Sequence, residues 1–128
     1  MAITINGSGT ITGITAGGLP DGVITADDLA SDAKPIGVGQ SWTDVTGSRV
    51  ASTTYTNSTG KTIVVLIVHQ RGSGELTSSV AVDGSTISNF RYGNEVTQTY
   101  QTHCVIVPNG STYQLTMNFS ISSWWELR

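Results

Sequence analysis

Two histidines, one cysteine, a group of aspartates and a pair of tryptophans are the residues through which this chain could do chemistry. His69 and His103 lie in runs of β-branched residues, "TIVVLIVHQ" and "YQTHCVIV". Successive strand residues point to opposite faces, so His103 and its neighbour Cys104 cannot form a nucleophile–base pair. A strand-edge or interface position suits both histidines better than metal ligation or catalysis. The acids Asp21, Asp27, Asp28 and Asp32 form the one carboxylate cluster. They lack the D-x-D-x-D-G spacing of a calcium loop, and helix capping accounts for two of them. In "HQRGSGEL", His69, Arg71 and Glu75 flank two glycines, but the stretch falls between strands and not between strand and helix, which weakens a phosphate-binding reading. The chain has no GxSxG, Walker A, HExxH or CxxC pattern. Asp44, Glu75, Asp83, Glu95 and Glu126 are spread through the second part of the chain, mostly in turns, where a glycan hydrolase needs paired carboxylates. The expectation is a protein that is not an enzyme and needs no cofactor or metal.

Recognition is the chemistry left. Trp124 and Trp125 are adjacent, so in a strand one ring faces the core and the other faces outward, as a subunit contact or a platform for a ligand. Trp125 shares parity with Leu127 and is expected inward. Trp124, Trp125, His69, Arg71 and Glu75 are therefore the candidate recognition or interface residues.

The elements that must carry these residues are strands. From about Ser41 onward β-branched and aromatic runs alternate with Gly, Asn and Pro, and no helical period is sustained. Strands are expected at 41–46, 49–56, 62–70, 76–82, 85–93, 97–107 and 112–127, the last with a break near 120–123. "TNSTGK", "RGSGE", "VDGS" and "VPNGS" are the turns between them. "TIVVLIVH" is continuously apolar and reads as a strand buried on both faces. "YQLTMNFSI" alternates strictly, with one face buried. Together they predict an all-β fold: a single jelly-roll-like β-sandwich over 39–128, preceded over 1–38 by an extended N-terminal arm with one short helix.

That arm has a different composition. Ile3, Ile5, Ile11, Ile14, Leu19, Val23, Ile24 and Leu29 are sparse apolar points on a Gly-rich stretch. A hairpin around Asn6-Gly7 would be marginal alone, and "ITADDLASDA" offers Thr25 as N-cap of a one- to two-turn helix ended by Lys34-Pro35. Such a segment buries too little to order itself: it is either a disordered tail or a segment ordered by other chains, and Ile and Leu recurring at short intervals favour the second.

The 128 residues suit one domain. Charged residues make up 12% and the formal net charge is -3, with the six Lys and Arg scattered, which argues against nucleic-acid binding. No apolar run approaches a membrane span, so no membrane insertion is expected, and the start lacks the pattern of a secretory signal. A single cysteine fits synthesis in a reducing cytoplasm. The Asn-x-Ser/Thr sequons at Asn6, Asn57, Asn109 and Asn118 are what chance supplies in a chain rich in Ser and Thr.

"MAITINGSGTITGITAGGLPDGVITADDLA" resembles the N-terminal segments of tail-fibre and related virion proteins of tailed bacteriophages. "GVGQSWTDVTGSRVASTTYTNSTGKTIVV" is similar to the β-rich module that follows them. The resemblance covers roughly residues 1–68. It implies a virion structural protein made in the host cytoplasm, a homotrimer whose arms wind together or dock on other tail or capsid proteins while the β-domain is displayed, with a host surface glycan or receptor as its target. The chain has no repetitive shaft, so a short spike or fibre tip is expected, with a capsid decoration (cement) protein as the alternative and a free lectin-like module as a third reading.

Overall fold

The computed structural model describes residues 24, 25, 28–30, 33–70, 74–93 and 100–128. Eight strands form: β1 (Trp42–Asp44), β2 (Thr54–Thr56), β3 (Ile63–Gln70), β4 (Leu76–Val82), β5 (Ser85–Tyr92), β6 (Tyr100–Val107), β7 (Thr112–Met117) and β8 (Ile121–Leu127). They make two four-stranded sheets, ordered β1-β8-β3-β6 (sheet A) and β2-β7-β4-β5 (sheet B).

The pairings explain this order. β4 pairs with β5, β3 with β6, β2 with β7 and β1 with β8, all antiparallel. The chain is thus one long hairpin with its tip at β4–β5, rolled so that successive pairs alternate between sheets. This is the jelly-roll connectivity. The tip is the "VDGS" turn, where Asp83 and Gly84 both have positive φ (48° and 77°), as a type I′ hairpin requires.

The core lies between the sheets. Ile63, Val65 and Ile67 of β3, Val105 and Val107 of β6 and Trp124 of β8 meet Val80 and Val82 of β4 and Tyr113 and Leu115 of β7, all buried. At one end Asn57 is buried, and its Nδ2 donates to the carbonyls of Lys61, Val107 and Pro108 at 2.7–3.0 Å. That side chain clasps the β2–β3 connection to the β6–β7 turn.

Three expectations need correction. β3 is not buried on both faces: Ile63, Val65, Ile67 and His69 are buried, whereas Val64, Leu66, Val68 and Gln70 are half-buried on the outside of sheet A. Continuous hydrophobicity here reflects one core face and one apolar outer face. The strand foreseen over 49–56 begins only at Thr54, because Asp44 Oδ1 accepts from Thr46 N and Oγ1 (2.9 and 2.6 Å) and turns the chain into a 3-10 turn at Thr46–Ser48. Finally, no α-helix forms among the described residues of the arm. Asp28 Oδ2 does accept from Thr25 N and Oγ1 (2.8 and 2.7 Å), half of a capping box, and residues 26, 27, 31 and 32 of the expected helix lie outside the described residues. The other arm expectations, including the Asn6-Gly7 hairpin and Ile3, Ile5, Ile11, Ile14, Leu19 and Val23, lie outside the described residues.

Candidate functional site

Because paired residues across antiparallel strands share a face, the register assigns each sheet its outer surface. On sheet A one row holds Trp42, Leu127, Val64 and Ile106, and the next holds Asp44, Trp125, Leu66 and Cys104. Trp42 is 49% exposed and Ile106 57%, values at odds with a surface that meets only water when they fall on one contiguous apolar sheet. On sheet B the rows are Thr54, Gln114 and Ala81, then Thr116, Ser79 and Asn89, then Thr77 and Arg91. This face is hydroxyl and amide. Its one large exposed hydrophobe, Ile87, is the extra residue of a β-bulge opposite Val80/Ala81 on the edge strand β5.

A shallow depression of about 250 Å³ opens on the sheet B face, lined by Thr77, Ser79, Asn89, Arg91 and Thr116 together with Ser78 and Phe90. No carboxylate lines it. Glu75 approaches it only by pairing with Arg91, Oε1 to Nε at 3.0 Å, with both side chains largely exposed. The depression offers donors and acceptors to a polar ligand, without the acid–base pair of a hydrolase.

Two polar clusters sit inside the sandwich. Glu126, 1% exposed, accepts from Arg49 Nε (2.9 Å) and Nη2 (3.2 Å) and from the Tyr113 hydroxyl (2.6 Å), and pairs with Arg128 Nη1 at 3.1 Å. Burial, and then the Glu126 carboxylate, push the Tyr113 phenol up to about 12. The Arg49 guanidinium also lies 4.5 Å over the Tyr55 ring. At the opposite edge, His103 bonds Ser78 Oγ through Nε2 and Ser88 Oγ through Nδ1. The His69 ring is 5.4 Å from it and the Phe90 ring 4.7 Å. His69 is fully buried, and neither of its ring nitrogens has a hydrogen-bond partner among the described residues. Burial holds both imidazoles below their usual range, His103 at about 4.

The sequence-predicted recognition set is not brought together. Trp124, not Trp125, is the inward ring: it is fully buried, edge-on to Tyr55 at 6.0 Å. Trp125 and Leu127 do share a face, but it is the outer one. The inference failed because an inward Trp124 also requires an inward Glu126, which looks prohibitive until Arg49, Tyr113 and Arg128 are seen around it. Trp124 and His69 are therefore core residues, and neither is presented to a partner. Trp125 is half-buried on the apolar face of sheet A, Glu75 stands exposed just before β4, and Arg71 lies outside the described residues. Of the arm residues, Ile24 and Leu29 are described and exposed. Sequence reasoning missed Trp42, Leu66 and Ile106, whose signal was the unbroken apolar run of β3 and its paired strands. Among the described residues no three His, Cys, Asp or Glu side chains are grouped to hold a metal ion. No known family model matches the chain, and no curated protein proved similar to it.

Proposed function

We propose that this chain is a structural protein of a tailed-bacteriophage virion, a homotrimeric short spike or fibre tip that anchors through residues 1–38 and displays its jelly roll, sheet B outward, to a glycan or receptor on the host. The observation that carries this reading is the inequality of the two outer faces. Sheet A carries two apolar rows on its outside, and the residues that follow the arm are tied at its margin: Gln40 Nε2 donates to the carbonyls of Thr62 and Leu127, and Lys61 Nζ to that of Gly39. Sheet B turns out hydroxyls, amides and one shallow depression. A protein fixed on one side and read from the other needs this division. The resemblance of residues 1–68 to phage tail-fibre segments supplies the virion context. Double-sheet jelly rolls also serve as viral capsid and lectin domains, which fits displayed binding without assigning it.

A decoration protein on the capsid is the second reading, since the same division of faces serves a protein seated on a shell. Cryo-electron microscopy of particles carrying the full chain or a chain lacking residues 2–34 tests both. Density at the tail that disappears with the arm is expected; density on capsomers replaces the spike with the decoration protein, and particles lacking the full chain overturn the virion role.

A further inference from the structure

The apolar outside of sheet A calls for a specific cover. Trp42, Val64, Leu66, Ile106, Trp125 and Leu127 form its two rows. The only acid among these rows is Asp44, whose carboxylate is already bound to Thr46 at the β1 margin. Four strands about 4.8 Å apart, with two outward residues each in these rows, give this patch a footprint of roughly 250 Å². A stable interface takes roughly 800 Å² from each partner. Two sandwiches meeting through this face alone fall short. An extended peptide that crosses the face and continues past it does not.

The chain itself contains that peptide. Residues 1–20 carry no charged side chain and hold Ile3, Ile5, Ile11, Ile14 and Leu19, so laying them on this face desolvates no charged side chain of the arm and meets only Asp44, at the β1 margin, on the face. At about 3.3 Å per extended residue, twenty residues reach roughly 65 Å, well beyond the width of one sheet. The arm also joins the body beside this face, at Gly39 and Gln40. Its described part does not use the face of its own chain: Ile24, Leu29 and Ile36 remain 55%, 36% and 44% exposed. We infer that the outer face of sheet A is the docking surface for residues 3–20 of a neighbouring copy of this chain, each arm crossing to the next copy in a closed ring. This rests on the reading of the arm as an assembly element and adds the surface that receives it.

Cys104, the one cysteine, is exposed on this face beside Leu66, so the unsubstituted full-length chain can carry a photo-activated maleimide there. Heavy-isotope and ordinary chains are unfolded together, refolded, irradiated and digested. The expected result is Cys104 crosslinked to peptides within residues 1–20, with the two isotopes mixed. Crosslinks within one isotope only would mean that the arm folds back on its own sheet, crosslinks to sandwich peptides only would mean face-to-face packing, and either, or no crosslink, overturns the inference. Ile106→Lys alters an exposed side chain remote from the core. It should leave the far-ultraviolet circular dichroism of the folded sandwich unchanged while weakening association about tenfold or more by placing an unpaired charge in the contact; unchanged oligomer mass at the same dilution overturns the inference as well. Neither measurement needs a virus. Failure here beside arm-dependent incorporation into particles would remove the docking surface alone, whereas the full chain's absence from particles would remove the virion role and leave the crosslinks standing.

Discussion

The two edges of the sandwich interior bury polar groups by opposite means. At the β1/β2 edge a carboxylate is kept inside by saturating it: Glu126 has Arg49, Tyr113 and Arg128 around it, all within 3.2 Å. At the β5/β6 edge two imidazoles are kept inside by staying uncharged, His103 between two serines and His69 with bare ring nitrogens. A saturated charge does not tolerate the loss of a partner. A neutral imidazole pair tolerates substitution but not protonation.

The heaviest test of this contrast is Glu126→Ala. It leaves the Arg49 guanidinium and the Tyr113 hydroxyl without their acceptor, and removing one partner of a buried ion pair costs about 3–5 kcal/mol. Urea unfolding at neutral pH measures it, and a loss below about 1 kcal/mol would show the cluster to behave like a surface pair.

Next comes acid. His103 titrates at about 4 in the fold, against 6.5 for the free side chain, chiefly through burial and then through His69. The unfolded chain therefore takes up the proton first. The stability this gives is complete above pH 6.5 and drains away as the pH falls to about 4, a loss of about 3 kcal/mol. Asp28, Asp44 and Asp83, whose pKa values are lowered below 3.8 by hydrogen bonds to Thr25, Thr46 and Thr112, give up their contributions only below that window. Unfolding midpoints between pH 7.5 and 4.5 should fall in the parent and stay flatter in His103→Gln. Parallel curves would move the acid sensitivity elsewhere.

The smallest effect is expected from His69→Leu. It replaces a ring with unpartnered nitrogens by an apolar side chain of similar size and should stabilise the protein at neutral pH by about 1 kcal/mol. Destabilisation would mean that the ring contacts with Phe90 and His103 outweigh the bare nitrogens.

How far the sequence could be read divides along the same physical line. Strand runs and turns are legible because they depend on local chemistry: Leu76–Val82 occupies the expected span and Asp83-Gly84 makes the expected turn, but the strand expected over 112–127 with a break near 120–123 is two strands, β7 and β8, in opposite sheets and divided at residues 118–120. Facing was less legible, since it depends on partners distant in the chain. Glu126 faces inward only because Arg49 does too, and no periodicity announces that. Nor does the pattern of "TIVVLIVH" separate a core face from an apolar outer face. The burial of the histidines is not legible either, because nothing near them in sequence reveals Ser78 and Ser88.

The rolled hairpin also imposes an order in time. Closing the two-residue Asp83-Gly84 turn costs little loop entropy, and each later pairing, β3 with β6, β2 with β7, and finally β1 with β8, must bring together residues farther apart along the chain. Folding is thus favoured to run from the tip outward and to finish at β1–β8, the strands that carry Trp42, Trp125 and Leu127 and sit next to the arm. The surface on which one copy would receive another is completed last, so an unfinished chain offers a neighbour only its β3–β6 half.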